Sequence, residues 1–412
     1  MLSSLMSILV LLKSNMKIQI HLRCLLFAVI LFNFSLSWGQ KRTSFHQAAI
    51  LIDAHNDFPS AAIGNNLAFD QDLRGRAHSD LRRMKTGGVD IQIFSIFCGP
   101  EQPKPYAWAN REIDSVFAWV ERNPDDMRWV RNSKELKKAV KQKKIGTMLG
   151  VEGGHMIEDR LENLEALYNR GVRYLTLTWN NSTAWASSAL DETSLKDTTR
   201  NFGLNQFGQS VVRKMNELGM LVDVSHNGER TFWDAMATTT KPVIASHSSV
   251  YNLCPHRRNL KDDQIKAIAH NGGVIHVNFY AGFIDSTYEK KSTQLMERHR
   301  KEMDSLTSHQ TASTEITKKM LGEKHAAALL SIRPSISILL DHLDYIVKLV
   351  GVDHVGLGSD FDGIEAPPLE LQGVEDFPKI TDALLERGYA KKDIRKILGG
   401  NYMRVLKANE KK

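Results

Sequence analysis

The chain has 412 residues, 42% of them hydrophobic, and its 54 Lys and Arg against 47 Asp and Glu give a net charge of +7. That length allows a large buried core, and so mild a basic excess argues against a dedicated nucleic-acid binder. Three cysteines are too few for a disulfide framework.

The chain begins with a segment that reads as a leader. Lys17 and Arg23 precede the apolar stretch Cys24 to Phe32, and Ser37-Trp-Gly39 places small residues where a signal peptidase reads. The apolar run is too short to span a bilayer, which takes about 20 residues. We therefore expect a signal peptide over residues 1–39, cleaved after Gly39. Met16-Lys17 is an alternative start, which would leave residues 1–15 outside the protein. The leader carries Lys13, Lys17 and Arg23 and no acid, so the remaining 373 residues have a net charge of +4. Cys98 and Cys254 stay and are expected not to pair. The polar end, Lys407 to Lys412, lacks a lipid-anchor signal. The expectation is an exported protein, periplasmic or secreted, with one domain over 40–412 and no membrane anchor in the mature form.

From Ile50 onward, apolar runs alternate with amphipathic stretches, which is the α/β pattern. Eight runs read as strands: Ile50–Asp53, Val89–Ile96, Ile145–Val151, Val172–Leu177, Met220–Val224, Pro242–Ala245, Gly273–Phe279 and His354–Gly358. Helical stretches fit Trp108–Arg122, Leu161–Asn169, Phe207–Leu218, Asp262–His270 and Ser335–Leu349, with a closing helical region over Lys391–Lys407. Within that last region Asn401 suits capping or strand-edge hydrogen bonding better than catalysis. The connection after the seventh strand, about 285–333, is out of scale. It reads as one or two charged helices joined by Ser305–Ser313, either a solvated surface excursion or a cover over the active site.

Six metal-type side chains each sit just past one of these runs: His55 and Asp57, Glu152, His226, His247 and Asp360. Distant residues can meet in this way if parallel strands all end at one rim, as in a (β/α)8 barrel. Three His and three carboxylates suit a pair of Zn-like divalent ions. His55 and Asp57, two apart on a strand, point to one side. Glu152, followed by Gly153-Gly154, is the expected shared ligand, because a carboxylate has two oxygens and a neutral imidazole one free nitrogen. A lone His past a strand is more often structural; His226 and His247 on adjacent strands make coincidence harder. Asp360 suits a general acid/base beside an activated water. Arg257-Arg258 offers positive charge near the same rim, for capture of a carboxylate or as a solvated surface pair. His155 reads as a hydrogen-bond partner of a ligand or as structural. No phosphate loop, His-Glu-x-x-His or Gly-x-Ser-x-Gly occurs.

The order and wording of these segments resemble the renal or membrane dipeptidase family of metallopeptidases, peptidase family M19, from about residue 50 to 406. The matching stretches include Asp53-Ala-His-Asn-Asp57, Val151-Glu-Gly-Gly-His155, Asp223-Val-Ser-His226, Ala245-Ser-His-Ser-Ser249, Arg257-Arg-Asn259 and Gly358-Ser-Asp-Phe-Asp-Gly363. The resemblance implies a TIM-like barrel of the amidohydrolase type with two Zn2+ per chain, hydrolysing dipeptides by a water bridging the two ions. Some members accept a D-residue at the C-terminal position. It assigns His55, Asp57 and Glu152 to the first zinc, and Glu152, His226 and His247 to the second. Arg258 would take the substrate carboxylate with Tyr280 nearby, and Asp360 would act at the amine and leaving group.

One departure stands out. Animal members carry a histidine after Leu-Thr-Leu-Thr, where it binds the substrate carbonyl; this chain has Trp179 there. Trp179, Asn180 or Asn181 is the expected substitute donor. The expected partner is a small dipeptide, with a homodimer as one open assembly and no nucleic acid. The alternatives are an amidohydrolase acting on another small amide or lactam, and a catalytically silent binding protein.

Overall fold

The computed structural model describes residues 44–194, 202–307 and 314–411. The chain divides after Ala49. In the first unit Ser44–Ala48 are helical; the leader read over residues 1–39 lies outside the described residues. Ile50 to Lys411 form the barrel and its helices.

Among the described residues nine strands make one parallel sheet: β1 (Ile52–Asn56), β2 (Ile91–Ile96), β3 (Met127–Trp129), β4 (Ile145–Glu152), β5 (Val172–Thr176), β6 (Leu221–Asp223), β7 (Ile244–Ala245), β8 (Val274–Val277) and β9 (Val355–Leu357). Eight of them pair in the order β1-β2-β4-β5-β6-β7-β8-β9. These are the eight expected strands in the expected order, a TIM-like (β/α)8 barrel. β3 is the addition: it pairs only with β4, outside the ring. Three residues carry too little pattern to show in sequence.

The strands read as apolar runs because helices cover the outside and side chains fill the inside. Ile52, Ile91, Ile93, Met148, Tyr174, Leu221, Ile244 and Val274 share one core cluster with Tyr402, Val405 and Leu406 of the closing helix Asn401–Asn409. Asn401 bonds the carbonyls of Val352 and Val355 through Nδ2 at 2.7 and 2.8 Å, a structural role as expected.

The ring closes between β1 and the residues after β9. Asp360 N–H donates to the His55 carbonyl at 3.1 Å, and Asp57 N–H to the Phe361 carbonyl at 2.9 Å. The bonds that close the barrel are thus made by the residues that carry its chemistry.

The expected helices appear as Pro105–Arg122, Leu161–Asn169, Gln206–Leu218, Asp262–His270 and Ile336–Val350. Among its described residues the insertion holds two helices, Tyr288–Thr307 and Thr314–Ser331. They meet through His299 and His325, with ring centroids 4.2 Å apart, and through Glu302, whose Oε2 lies 2.7 Å from His325 Nε2. Cys98 and Cys254 are free and buried, as expected.

Candidate metal centre and substrate pocket

The C-terminal ends of the strands bring five of the six expected residues to one point, with Asp360 beside them. Oε1 of Glu152 lies 2.9 Å from His226 Nε2 and 3.2 Å from His247 Nε2. Its Oε2 lies 3.7 Å from His55 Nε2, which is 3.4 Å from Asp57 Oδ2 and 3.9 Å from Asp360 Oδ1. Two groups that could each hold a metal ion follow, His55, Asp57 and Glu152 on one side and Glu152, His226 and His247 on the other. A third grouping, His55, His247 and Asp360, overlaps them.

The other nitrogen of each histidine is already engaged. His55 Nδ1 is 2.8 Å from the Tyr174 hydroxyl, His226 Nδ1 3.1 Å from Asn180 Oδ1, and His247 Nδ1 2.7 Å from Ser246 Oγ. An amide oxygen can only accept, so His226 carries its proton on Nδ1. The Ser246 hydroxyl donates to Asp223 Oδ2 at 2.5 Å, so it accepts from His247. The Tyr174 hydroxyl lets His55 take the same tautomer. Each ring then presents a bare Nε2 to the centre.

That arrangement fits a cation. The Nε2 atoms of His226 and His247 face each other at 3.0 Å, where two lone pairs repel unless a positive centre lies between them and the carboxylate. His55 Nε2 and Asp57 Oδ1 are buried without a hydrogen-bond partner. Asp57, Glu152 and Asp360 are all buried carboxylates, which need countercharge.

Burial and neighbouring charge act on each of these groups. Burial disfavours charge on His55, but Asp57 and Glu152 outweigh it and hold its pKa well above the usual imidazole value. Burial, then the Arg258 charge, pushes His226 down to about 3. Burial, then His55, takes His247 well below its ordinary value. Burial would raise Glu152, yet the His55 charge and bonds from all three histidines hold it well below the carboxylate range. Burial, then the Asp57 charge, raises Asp360 well above it.

Two buried aspartates that sequence reasoning passed over hold this geometry. Asp53 accepts from Ser359 N–H at 2.8 Å and Ser359 Oγ at 2.7 Å, and so fixes the residue before Asp360. Asp223 accepts from Ser246 N–H at 2.8 Å and fixes the residue before His247. The available signal was an aspartate at the end of an apolar strand, two or three residues before a histidine, since a buried carboxylate needs dedicated partners. His226 and Asp360 themselves sit at φ 62° and 61°, a strained left-handed backbone that such partners must maintain. Gly363 completes the turn: a Cβ there would lie 2.1 Å from Asp57 Oδ2.

Above the centre opens a pocket of about 390 Å³. Asp57, Glu152, His226, Arg258, Tyr280, Asp360 and Trp179 line it, with Phe97, Asn180 and Phe283. Arg258 is buried, with Nε and Nη1 unpartnered and Nη2 3.3 Å from the His247 carbonyl, while Arg257 is exposed. Trp179 packs on Phe97 with centroids 4.8 Å apart. Asn180 spends its oxygen on His226, and Asn181 does not line the pocket. Of the expected substitute donors, Trp179 and the Asn180 amide nitrogen remain. Asn278 was missed altogether: its Nδ2 donates to Asp360 Oδ2 at 2.7 Å. His155 bonds the Cys98 carbonyl at 2.9 Å and serves the fold rather than Glu152. No described residue of the insertion lines the pocket, so the described part is a surface excursion rather than a cover.

A parallel barrel with buried histidines and carboxylates gathered at its C-terminal rim is the build of a metal-dependent hydrolase. Comparison with known proteins narrows the class. Residues 40–412 match the family described as membrane dipeptidase, peptidase family M19, and the chain belongs to that family. An uncharacterized dipeptidase of Schizosaccharomyces pombe is 32% identical over 382 residues, covering 88% of this chain and 81% of that protein. The probable dipeptidase PvdM from Pseudomonas aeruginosa shares the fold with a TM-score of 0.73 at 24% identity, over 90% of this chain and 98% of that one. A Rhodobacter sphaeroides metallopeptidase, solved with a phosphinate mimic of the dipeptide L-Ala-D-Ala, superposes with a TM-score of 0.72 at 22% identity, over 88% of this chain and all of the other.

Proposed function

We propose that this protein hydrolyses the peptide bond of free dipeptides using two zinc ions, His55, Asp57 and Glu152 holding one and Glu152, His226 and His247 the other. The observation that carries the reading is Glu152, whose one oxygen faces two bare imidazole nitrogens while the other faces His55. Bound there, such a pair would make water a nucleophile near neutral pH and polarise the scissile carbonyl.

The chain's own groups supply the rest. Arg258, desolvated and with two nitrogens unpartnered, binds the substrate carboxylate. Asp360, oriented by Asn278, takes a proton from the attacking water and passes it to the leaving amine. Trp179 and Asn180 are the donors near the carbonyl. The charged ends of a short substrate, rather than its stereochemistry, dominate recognition, so a D-residue at the C-terminal position should be accepted. That a related-fold protein binds a mimic of L-Ala-D-Ala supports this.

Zinc content of the purified protein and turnover of a dipeptide panel, each member also with its amine or carboxylate blocked, test the reading. Two zinc ions per chain and slow blocked substrates are expected. Equal rates for free and blocked forms would overturn it. We further propose export with cleavage after Gly39: the mature protein should begin at Gln40, and an uncleaved or cytoplasmic protein would refute this.

A further inference from the structure

Tyr280 stands where the pocket meets the insertion. Its ring lines the pocket beside Phe283, with centroids 4.9 Å apart, and its hydroxyl donates to Glu289 Oε1 at 3.0 Å. Glu289 lies in the first turn of the helix Tyr288–Thr307. Space for the contact comes from Gly282, where a Cβ would fall 2.3 Å from Glu289 Oε1 and 2.5 Å from Tyr280 Cε1. Tyr288 and Ile332, from the two ends of the insertion, pack with Ala281, Ala366 and Tyr280 in a small apolar cluster. The base of the insertion is therefore fixed against this one pocket residue.

We propose that Glu289 is a positioning residue that sets side-chain selectivity at the carboxylate-binding end of the pocket, an inference that rests on the dipeptide reading above. A phenol has one proton, and Glu289 takes it, so the Tyr280 oxygen offers a substrate only lone pairs. The Arg258 guanidinium carbon is 5.4 Å from the centre of the Phe283 ring, against which Tyr280 packs. Tyr280 thus shares a wall with the group that takes the substrate carboxylate. The side chain of the C-terminal residue meets an acceptor backed by a fixed negative charge, with Glu365 on the same pocket lining. Neutral and ammonium-bearing side chains are favoured there, and acidic ones are repelled. Without Glu289 the phenol is free to donate, and the discrimination relaxes.

The test compares kcat/KM for Ala-Lys, Ala-Ala and Ala-Glu in the wild type, Glu289→Ala, Tyr280→Phe and the double variant. Glu297→Ala, which removes a charge from the same helix at a residue paired with Lys301, is the control. The wild type should prefer Ala-Lys over Ala-Glu by about tenfold or more, and Glu289→Ala should narrow this to about twofold, through KM rather than kcat. Tyr280→Phe, which removes the acceptor oxygen but keeps the Glu289 charge, should narrow it only in part, and the double variant should match Glu289→Ala. Unchanged melting temperature separates this from loss of the insertion's fold. A Lys-to-Glu ratio in Glu289→Ala equal to that of the wild type overturns the proposal. If no dipeptide is turned over, the dipeptidase reading fails; calorimetric binding of the same three dipeptides then reads the selectivity directly and decides the role of Glu289 by the same criterion.

Discussion

The hydroxyl of Tyr174 reaches Nδ1 of His55 at 2.8 Å by crossing the space above Gly150, where a Cβ would lie 1.9 Å from the tyrosine Cζ. A glycine on β4, a tyrosine on β5 and a histidine on β1 therefore act as one unit. Removing the hydroxyl leaves the ring packing intact but frees the imidazole to turn. Tyr174→Phe should stay folded and weaken zinc binding about 10- to 100-fold, as measured by competition with a chelator. Gly150→Ala should be worse, with a loss of about 3 kcal/mol or more in urea unfolding, because the tyrosine cannot yield inside a packed barrel.

Glu152 is the one proposed ligand shared by both ions. Glu152→Gln keeps the shape but gives up the charge and one acceptor oxygen. Bound zinc should fall below one ion per chain and kcat/KM by about 10³-fold or more. Full metal content by elemental analysis, with full activity, would remove the sharing.

Among the described residues Arg258 has no carboxylate hydrogen-bonded to it, which leaves its guanidinium for a ligand. Arg258→Met should cost free dipeptides about 100-fold in kcat/KM, mostly through KM, and carboxyl-amidated ones little. The comparison isolates the carboxylate, since the substitution changes the pocket equally for both.

His342 ties two segments of the catalytic face together, the stretch at Val250 and the short helix Ala281–Ile284. Its Nδ1 accepts from Val250 N–H at 3.0 Å, so its Nε2–H donates to the Ile284 carbonyl, also at 3.0 Å. Burial lowers its pKa from 6.5 to about 4. The unfolded chain takes up the proton at the higher pH, so this contribution to stability is whole above pH 6.5. It is lost as pH falls toward 4, by about 3 kcal/mol at most. The unfolding free energy of the wild type should drop more steeply over that window than that of His342→Gln. Parallel curves would refute the linkage.

Much of the design is legible before any coordinates. The eight apolar runs are readable because a barrel buries both faces of each strand, and a continuous hydrophobic run is the direct consequence. The ligand residues are readable because polar metal-type side chains directly after such runs are costly unless they are used. β3 is too short to show a pattern. Trp179 and Asn180 could be placed near the pocket, but not their division of labour, which depends on side-chain rotamers.

Asp53, Asp223, Tyr174 and Asn278 show where sequence reading ends. Each acts by meeting a residue distant in the chain: Ser359, Ser246, His55 and Asp360. Local pattern along the chain determined which residues were available for chemistry and the fold that collects them. Tertiary structure alone decided which imidazole nitrogen faces the centre, which of Arg257 and Arg258 is buried, and that the described part of the insertion meets the pocket wall at Tyr280. The physical reason is that strand periodicity is a property of neighbours in sequence, whereas hydrogen-bond partnership and desolvation belong to neighbours in space.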